Sequence, residues 1–332
     1  MREIAARDPS LRGDAFAKVG DSMTASDDFL RCFANPSLEL GEHAVLRPVI
    51  ERFRESFRHS SAAARIGWSV WQVLAGSPAP IERELDARRP RFAFVQFGTN
   101  DLELGRMKHF VEHQLKLTDA LIERGVIPIL FTIPARKDRS DRGVWVPRYN
   151  AMIRAIAQAR RVPLVDFYRE LARLPGQGLA KDGIHPSTYQ GPRGRDACDL
   201  GAAGLRHGYN LRNLLALQAL DRALHGLAGE PLDPAPPARD PLRVAELPFV
   251  DARRVAGSGL VYRFAFPRTS ALRATLFARA ADTELELTRA APSRVSIVRG
   301  HESVASNLAP GAYELKVSAA SAEELFLTVL SE

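Results

Sequence analysis

Four short blocks hold residue types that can do chemistry together. Ser22 ends Gly20-Asp21-Ser22, directly after an apolar run at residues 15–20. A hydroxyl is a weak nucleophile at its free pKa and needs an adjacent base. Imidazole is the natural base near neutral pH. Of the eight histidines, only His185 has an aspartate three positions before it, in Asp182-Gly183-Ile184-His185-Pro186. Asp182 at that spacing can accept the Nδ1–H bond and fix the tautomer. Asn100, in Gly98-Thr99-Asn100-Asp101, carries an amide that can donate to a developing oxyanion. Gly67, in Ala64-Arg65-Ile66-Gly67-Trp68-Ser69, would let its backbone N–H come close to a substrate oxygen. Gly41 and Gly76 are its rivals.

Each block alone is an ordinary turn. Gly-Asp-Ser is common at strand ends, and Asn or Asp caps helices. Their weight comes from recurring in order after strand-like runs. Asp21, Trp68 and Trp71 are candidates for lining a substrate pocket. For the two tryptophans, stacking on sugar rings competes with plain core packing, and core is the favoured reading. No spacing of His, Cys, Asp or Glu suits a metal, so neither metal nor cofactor is expected.

The elements that must position these residues alternate. Strand-like apolar runs lie at 15–20, 91–97, 126–133 and 162–167, without the alternation of a half-solvated strand. Amphipathic helical stretches lie at 110–124, 147–160 and 205–227. That pattern predicts an α/β domain, a three-layer doubly wound parallel sheet. Ligands then bind at the carboxyl ends of the strands, where the blocks of Ser22, Asn100, Asp182 and His185 fall.

The chain has 332 residues and a formal charge of +7. Only six of its 46 basic residues are lysine, and the arginines are scattered. Without a basic patch, nucleic-acid binding is not expected. No apolar run is long enough to cross a membrane as a helix. Residues 1–14 lack the apolar core of a signal peptide, so either the protein is cytoplasmic or a leader has been removed. Residues 231–244 carry five prolines, a linker signature. Residues 1–230 would form one domain and residues 245–332 another. In the second, strand-like pieces at 261–266, 273–277, 284–288, 294–298, 312–317 and 324–330 predict an antiparallel β-sandwich.

Taken together, Gly20-Asp21-Ser22, Gly67, Gly98-x-Asn100-Asp101 and Asp182-x-x-His185 resemble, in order, the blocks of the SGNH or GDSL-like serine hydrolases. The resemblance spans roughly residues 15–230 and departs at Met23, where leucine is usual. It implies a flavodoxin-like fold in which Ser22 attacks an ester carbonyl, His185 is the base and Asp182 orients it. The oxyanion would be held by the Ser22 and Gly67 N–H groups and the Asn100 side chain. It implies a serine esterase acting through an acyl-enzyme on small acyl esters, including O-acetyl groups of polysaccharide. An acyltransferase, and a non-catalytic carbohydrate-binding protein on a degenerate scaffold, are the alternatives. Val261-Tyr262-Arg263-Phe264 and Leu308-Ala309-Pro310-Gly311-Ala312-Tyr313 resemble the pre-peptidase C-terminal type of β-sandwich. That implies a secreted or envelope location and carbohydrate or cell-surface contact. Cys32 and Cys198 follow the nucleophile and the histidine along segments that start at one sheet edge. A disulfide there would pin the two segments together; two unpaired buried cysteines are the alternative.

Overall fold

The computed structural model describes residues 1–35, 38–229, 249–266, 270–278, 283–289, 293–299 and 303–331. The expected linker at 231–244 lies outside these residues. The chain divides into two compact units.

The first unit is built on a parallel sheet. Strands β1 (Arg12–Gly20), β2 (Pro90–Gln96), β3 (Ile127–Phe131) and β4 (Leu164–Val165) lie in the order β1-β2-β3-β4. All three pairings are parallel, with Val19 opposite Val95, Val95 opposite Leu130, and Phe131 opposite Val165. Every residue of β2 and β3 is buried. Strands buried on both faces need cover on both faces, which the helical crossovers between parallel strands supply. Among these are Pro80–Arg88, Met107–Glu123 and Val146–Arg160.

Ala64 forms a parallel bridge to Gly20 on the other side of β1. The chain thus leaves β1 to one side and returns to β2 on the other. This reversal at β1 is the switch point of a doubly wound sheet, where a crevice opens outside the carboxyl ends. Ser22 follows β1, Asn100 follows β2, and His185 lies in the loop after β4.

Phenylalanines knit the strands to their cover. Phe16 of β1 packs on Phe53, Phe57 and Phe94 with ring centroids 5.8, 5.3 and 5.1 Å apart. Phe94 of β2 continues to Phe29 at 5.9 Å and to Phe131 of β3 at 6.0 Å. The tilted and edge-on geometries are those that ring quadrupoles favour. β4 differs from expectation. The run 162–167 yields only two paired residues, because Asp166 leaves the sheet to cap the helix Phe167–Leu171, accepting from the Arg169 N–H.

A hairpin of β5 (Gln190–Gly191) and β6 (Gly194–Arg195) precedes the final helix of this unit, Gly208–Ala228. The second unit is antiparallel throughout. Its strands are β7 (Phe249–Phe266), β8 (Ser270–Ala278), β9 (Thr283–Arg289), β10 (Ser293–Arg299), β11 (Ser303–Leu308) and β12 (Gly311–Ser331). The pieces expected at 312–317 and 324–330 are one strand, β12. Its first half pairs with β9 and its second half with β8, while β7 runs beside both. The pairing with β7 slips between Val317 and Glu323, so two long strands pass from one layer of a sandwich to the other. Alternate residues point inward: Tyr262, Phe264 and Phe266 from β7 meet Tyr313, Leu315 and Val317 from β12.

Candidate active site

The Gly20-Asp21-Ser22 block is a capped turn. Asp21 is the N-cap of the one-turn helix Ser22–Ala25, its Oδ1 accepting from the Met23 N–H at 3.0 Å. Ser22 Oγ lies 2.9 Å from His185 Nε2. On the far side of the ring, His185 Nδ1 is 2.7 Å from Asp182 Oδ2. Asp182 Oδ1 accepts the N–H groups of Ile184 and His185, at 2.9 and 3.0 Å. Burial pushes the Asp182 carboxyl up, but these N–H donors and the imidazole together carry it below the usual carboxylate range. An ionised Asp182 is the form that can hold Nδ1–H and leave Nε2 free to accept the serine proton.

Backbone bonds hold this turn in place. Ala180 N–H donates to His185 O, and Ser187 N–H donates to Gly178 O, both at 2.8 Å. Gly183 has φ +70°, and a Cβ there would sit 2.8 Å from the backbone nitrogen of Asp138. Only glycine allows that approach. Lys137 N–H donates to Gly183 O at 2.8 Å.

Asn100 Nδ2 donates to Trp68 O at 2.9 Å. A carboxamide has two N–H donors, so this bond orients the side chain and leaves a second hydrogen for a substrate oxygen. The same bond puts the Gly67 turn beside Asn100. Gly67 has φ +79° with open space where a Cβ would be. Of its rivals, Gly41 packs on Leu200 and Gly201, while Gly76 faces Pro78. The Gly67 segment is fixed from two sides: Arg65 N–H donates to Gly20 O at 3.1 Å, and Val70 N–H donates to Asp101 Oδ1 at 3.1 Å.

Two expectations need correcting. Asp21 is fully buried, so it caps the turn and does not line an open pocket. The tryptophans are not core: Trp71 is 41% exposed and Trp68 is half-buried, because the turn around Gly67 stands out from the sheet edge.

Several supporting residues carry no sequence signal. The Arg212 guanidinium is buried 3.8 Å above the Phe29 ring and donates to Thr24 Oγ1 at 3.0 Å and to Met23 O. Burial lowers its pKa to about 10. Burial raises Asp21 to about 6, against the pull of the Met23 N–H and Arg212. Asp101 is raised to about 7, mainly by burial, with the Asp21 charge adding to it. Buried Arg136 joins the loops after β2 and β3, donating to Thr99 O at 3.0 Å and to Glu103 and Asp138 at 2.7 Å.

On the other flank, Asn213 Nδ2 donates to Asp28 O at 2.8 Å and to Ala197 O at 2.9 Å. Asp28 also accepts from Thr188 Oγ1 at 2.7 Å and pairs with Arg195. The sulfurs of Cys32 and Cys198 lie 2.02 Å apart, closing the same gap. The arrangement can deprotonate a serine and receive an oxyanion. Among the described residues, no group of His, Cys, Asp or Glu could hold a metal ion, and no helix is long and apolar enough to cross a membrane.

Comparison with known proteins gives the following. A GDSL-like lipase from Bacteroides thetaiotaomicron is 16% identical, with a TM-score of 0.43, covering 67% of this chain and 95% of its own. A two-domain esterase active on acetylated mannans is 13% identical, with a TM-score of 0.38, covering 96% and 92%. A pre-peptidase C-terminal domain of a Bacillus anthracis collagenase is 16% identical, with a TM-score of 0.23, covering 25% and 89%. No curated protein matches. The family model of the GDSL-like lipases and acylhydrolases matches residues 19–189. That stretch is more than half of the chain and runs from the strand before Ser22 to beyond His185, and the chain belongs to this family.

Proposed function

We propose that the protein is a serine esterase that cleaves small acyl esters through an acyl-enzyme, O-acetyl groups of carbohydrate among them. The observation that carries this is the relay Ser22 Oγ–His185 Nε2–Asp182, with links of 2.9 and 2.7 Å. His185 takes the serine proton as Ser22 attacks, and Asp182 steadies the imidazolium. The oxyanion is met by the free amide hydrogen of Asn100 and the backbone N–H groups of Gly67 and Ser22. His185 then gives its proton to the leaving alcohol, and water repeats the cycle on the acyl-enzyme. Half-exposed Trp68 and Trp71 beside the oxyanion donors support a sugar-bearing substrate, since aromatic faces stack on rings. The antiparallel unit is read as an accessory domain, and the protein as one acting outside the cytoplasm.

The test is p-nitrophenyl esters from C2 to C12 with wild type and Ser22→Ala. Ser22-dependent release, greatest at C2, is the expected result. No Ser22-dependent release at any length overturns the reading in favour of a binding protein. Supplying alcohol acceptors in the same assay separates hydrolysis from acyl transfer.

A further inference from the structure

We propose that the alcohol half of the ester is a neutral, polyhydroxylated carbohydrate that docks in a polar cleft between segments 27–39 and 193–198. This rests on the esterase reading above. The cleft holds about 530 Å³ and is lined by Asp27, Asp28, Asn35, Glu39, Arg193 and Arg195 around the Cys32–Cys198 bridge. That size lies within the range of small-ligand pockets.

The chemistry of ester cleavage assigns a side to each half of the substrate. The carbonyl oxygen faces Asn100 and Gly67. The proton on His185 Nε2 must end on the leaving alkoxide, so the alcohol lies on the His185 side. From His185 the chain reaches Thr188 in three residues, a span of at most about 11 Å. Thr188 Oγ1 donates to Asp28, which forms part of the cleft wall. The cleft wall thus begins within about 11 Å of backbone from His185, within reach of a leaving group longer than one ring.

The lining suits such a group. A polyol presents hydroxyls that both donate and accept. Carboxylates can only accept, while guanidinium groups donate and a carboxamide does both. The exposed side chains of Asn35 and Arg193 make no hydrogen bond or ion pair among the described residues, so their donors are available. Asp27 pairs with Arg31 and Asp28 with Arg195, so Glu39 and Asp196 stand against Arg193, and a wall near charge balance suits a neutral alcohol. Among the lining side chains Leu38 is the one partly exposed hydrophobic residue, since Ala197 is buried. By contrast, the exposed Ile66 and Leu104 stand in the segments around Gly67 and Asn100, on the oxyanion side, where Trp68 and Trp71 are left to the ring that carries the ester.

The experiment compares wild type, Asn35→Ala, Arg193→Ala and the double variant. Each is assayed on p-nitrophenyl acetate and on partially O-acetylated xylo-, manno- and gluco-tetraose. The quantity read is the ratio of kcat/KM on the tetraose to kcat/KM on p-nitrophenyl acetate. In the double variant it falls about tenfold, carried by KM, as expected for losing two hydrogen bonds to neutral hydroxyls. An unchanged ratio overturns the proposal, whether the two rates hold or fall together. So does wild type that cleaves none of the acetylated tetraoses, or that prefers an O-acetylated oligogalacturonide of the same length. Wild type without Ser22-dependent release from p-nitrophenyl acetate overturns the esterase reading instead, and this inference with it.

Discussion

At the scale of single residues, the relay is already aligned without a substrate, so its variants should report chemistry and not folding. On the proposed mechanism Ser22→Ala should nearly abolish turnover. If Asn100 is an oxyanion donor as proposed, Asn100→Ala should lower kcat by about two to three orders of magnitude. Both are read from p-nitrophenyl acetate kinetics. Gly67→Ala has room for its methyl but not the backbone freedom, since φ is +79°. It should lose about 1–2 kcal/mol of stability in urea unfolding and raise the barrier for acylation. Asp101 gives a pH test. Its folded-state pKa is raised from 3.8 to about 7, mainly by burial. The neutral carboxyl is therefore the form the fold favours. Its stabilisation is present below 3.8 and is lost as pH rises through about 7. The thermal midpoint of Asp101→Asn relative to wild type should climb over that window; a flat difference would mean that Asp101 titrates normally.

Ser22, Asn100, Asp182 and His185 stand out as candidates in the sequence because few residue types can do the proposed chemistry. Arg136 and Asn213 could not, because their work is to donate to backbone carbonyls. Any Arg or Asn in the chain looks equally able to do that until the fold brings a carbonyl near.

At the scale of elements, buried parallel strands were legible as unbroken apolar runs. The segment bridging β1 at Ala64 was not, since three alanines carry no periodicity. The antiparallel unit was legible in type but not in length. β12 keeps alternation on either side of its slip, and the irregular stretch between reads locally as a turn. The segments bearing Ser22 and His185 are held by Asn213, by the Asp28–Arg195 pair and by the cysteine pair. The two cysteines are 166 positions apart. Loss of a native cross-link of that size typically costs about 2–5 kcal/mol. Cys32→Ala with Cys198→Ala should lose that much in urea unfolding, and intact protein should show no thiol that alkylates before reduction.

At the scale of the molecule, the first unit has its own sheet, aromatic core and complete set of candidate groups. A chain ending at Gly229 should keep Ser22-dependent hydrolysis of p-nitrophenyl acetate; an insoluble or inactive product would make the second unit part of the folding unit. The charge of +7 also reads differently at this scale. Arg91, Arg136 and Arg212 are buried, and Arg91 donates to the carbonyls of Ala5, Asp8 and Gly125. Part of the basic excess is thus internal scaffolding and not surface field.

The cysteine bridge has a topological consequence. It turns residues 32–198 into a covalent ring that contains Gly67, Asn100, Asp182 and His185, while Ser22 sits on the segment leading into it. A protease that cuts once within the ring, for instance among the exposed residues 139–141, opens the circle without releasing either piece. The nicked protein should run as one band on a non-reducing gel and as two after reduction, with Ser22 and His185 on separate polypeptides still joined through sulfur.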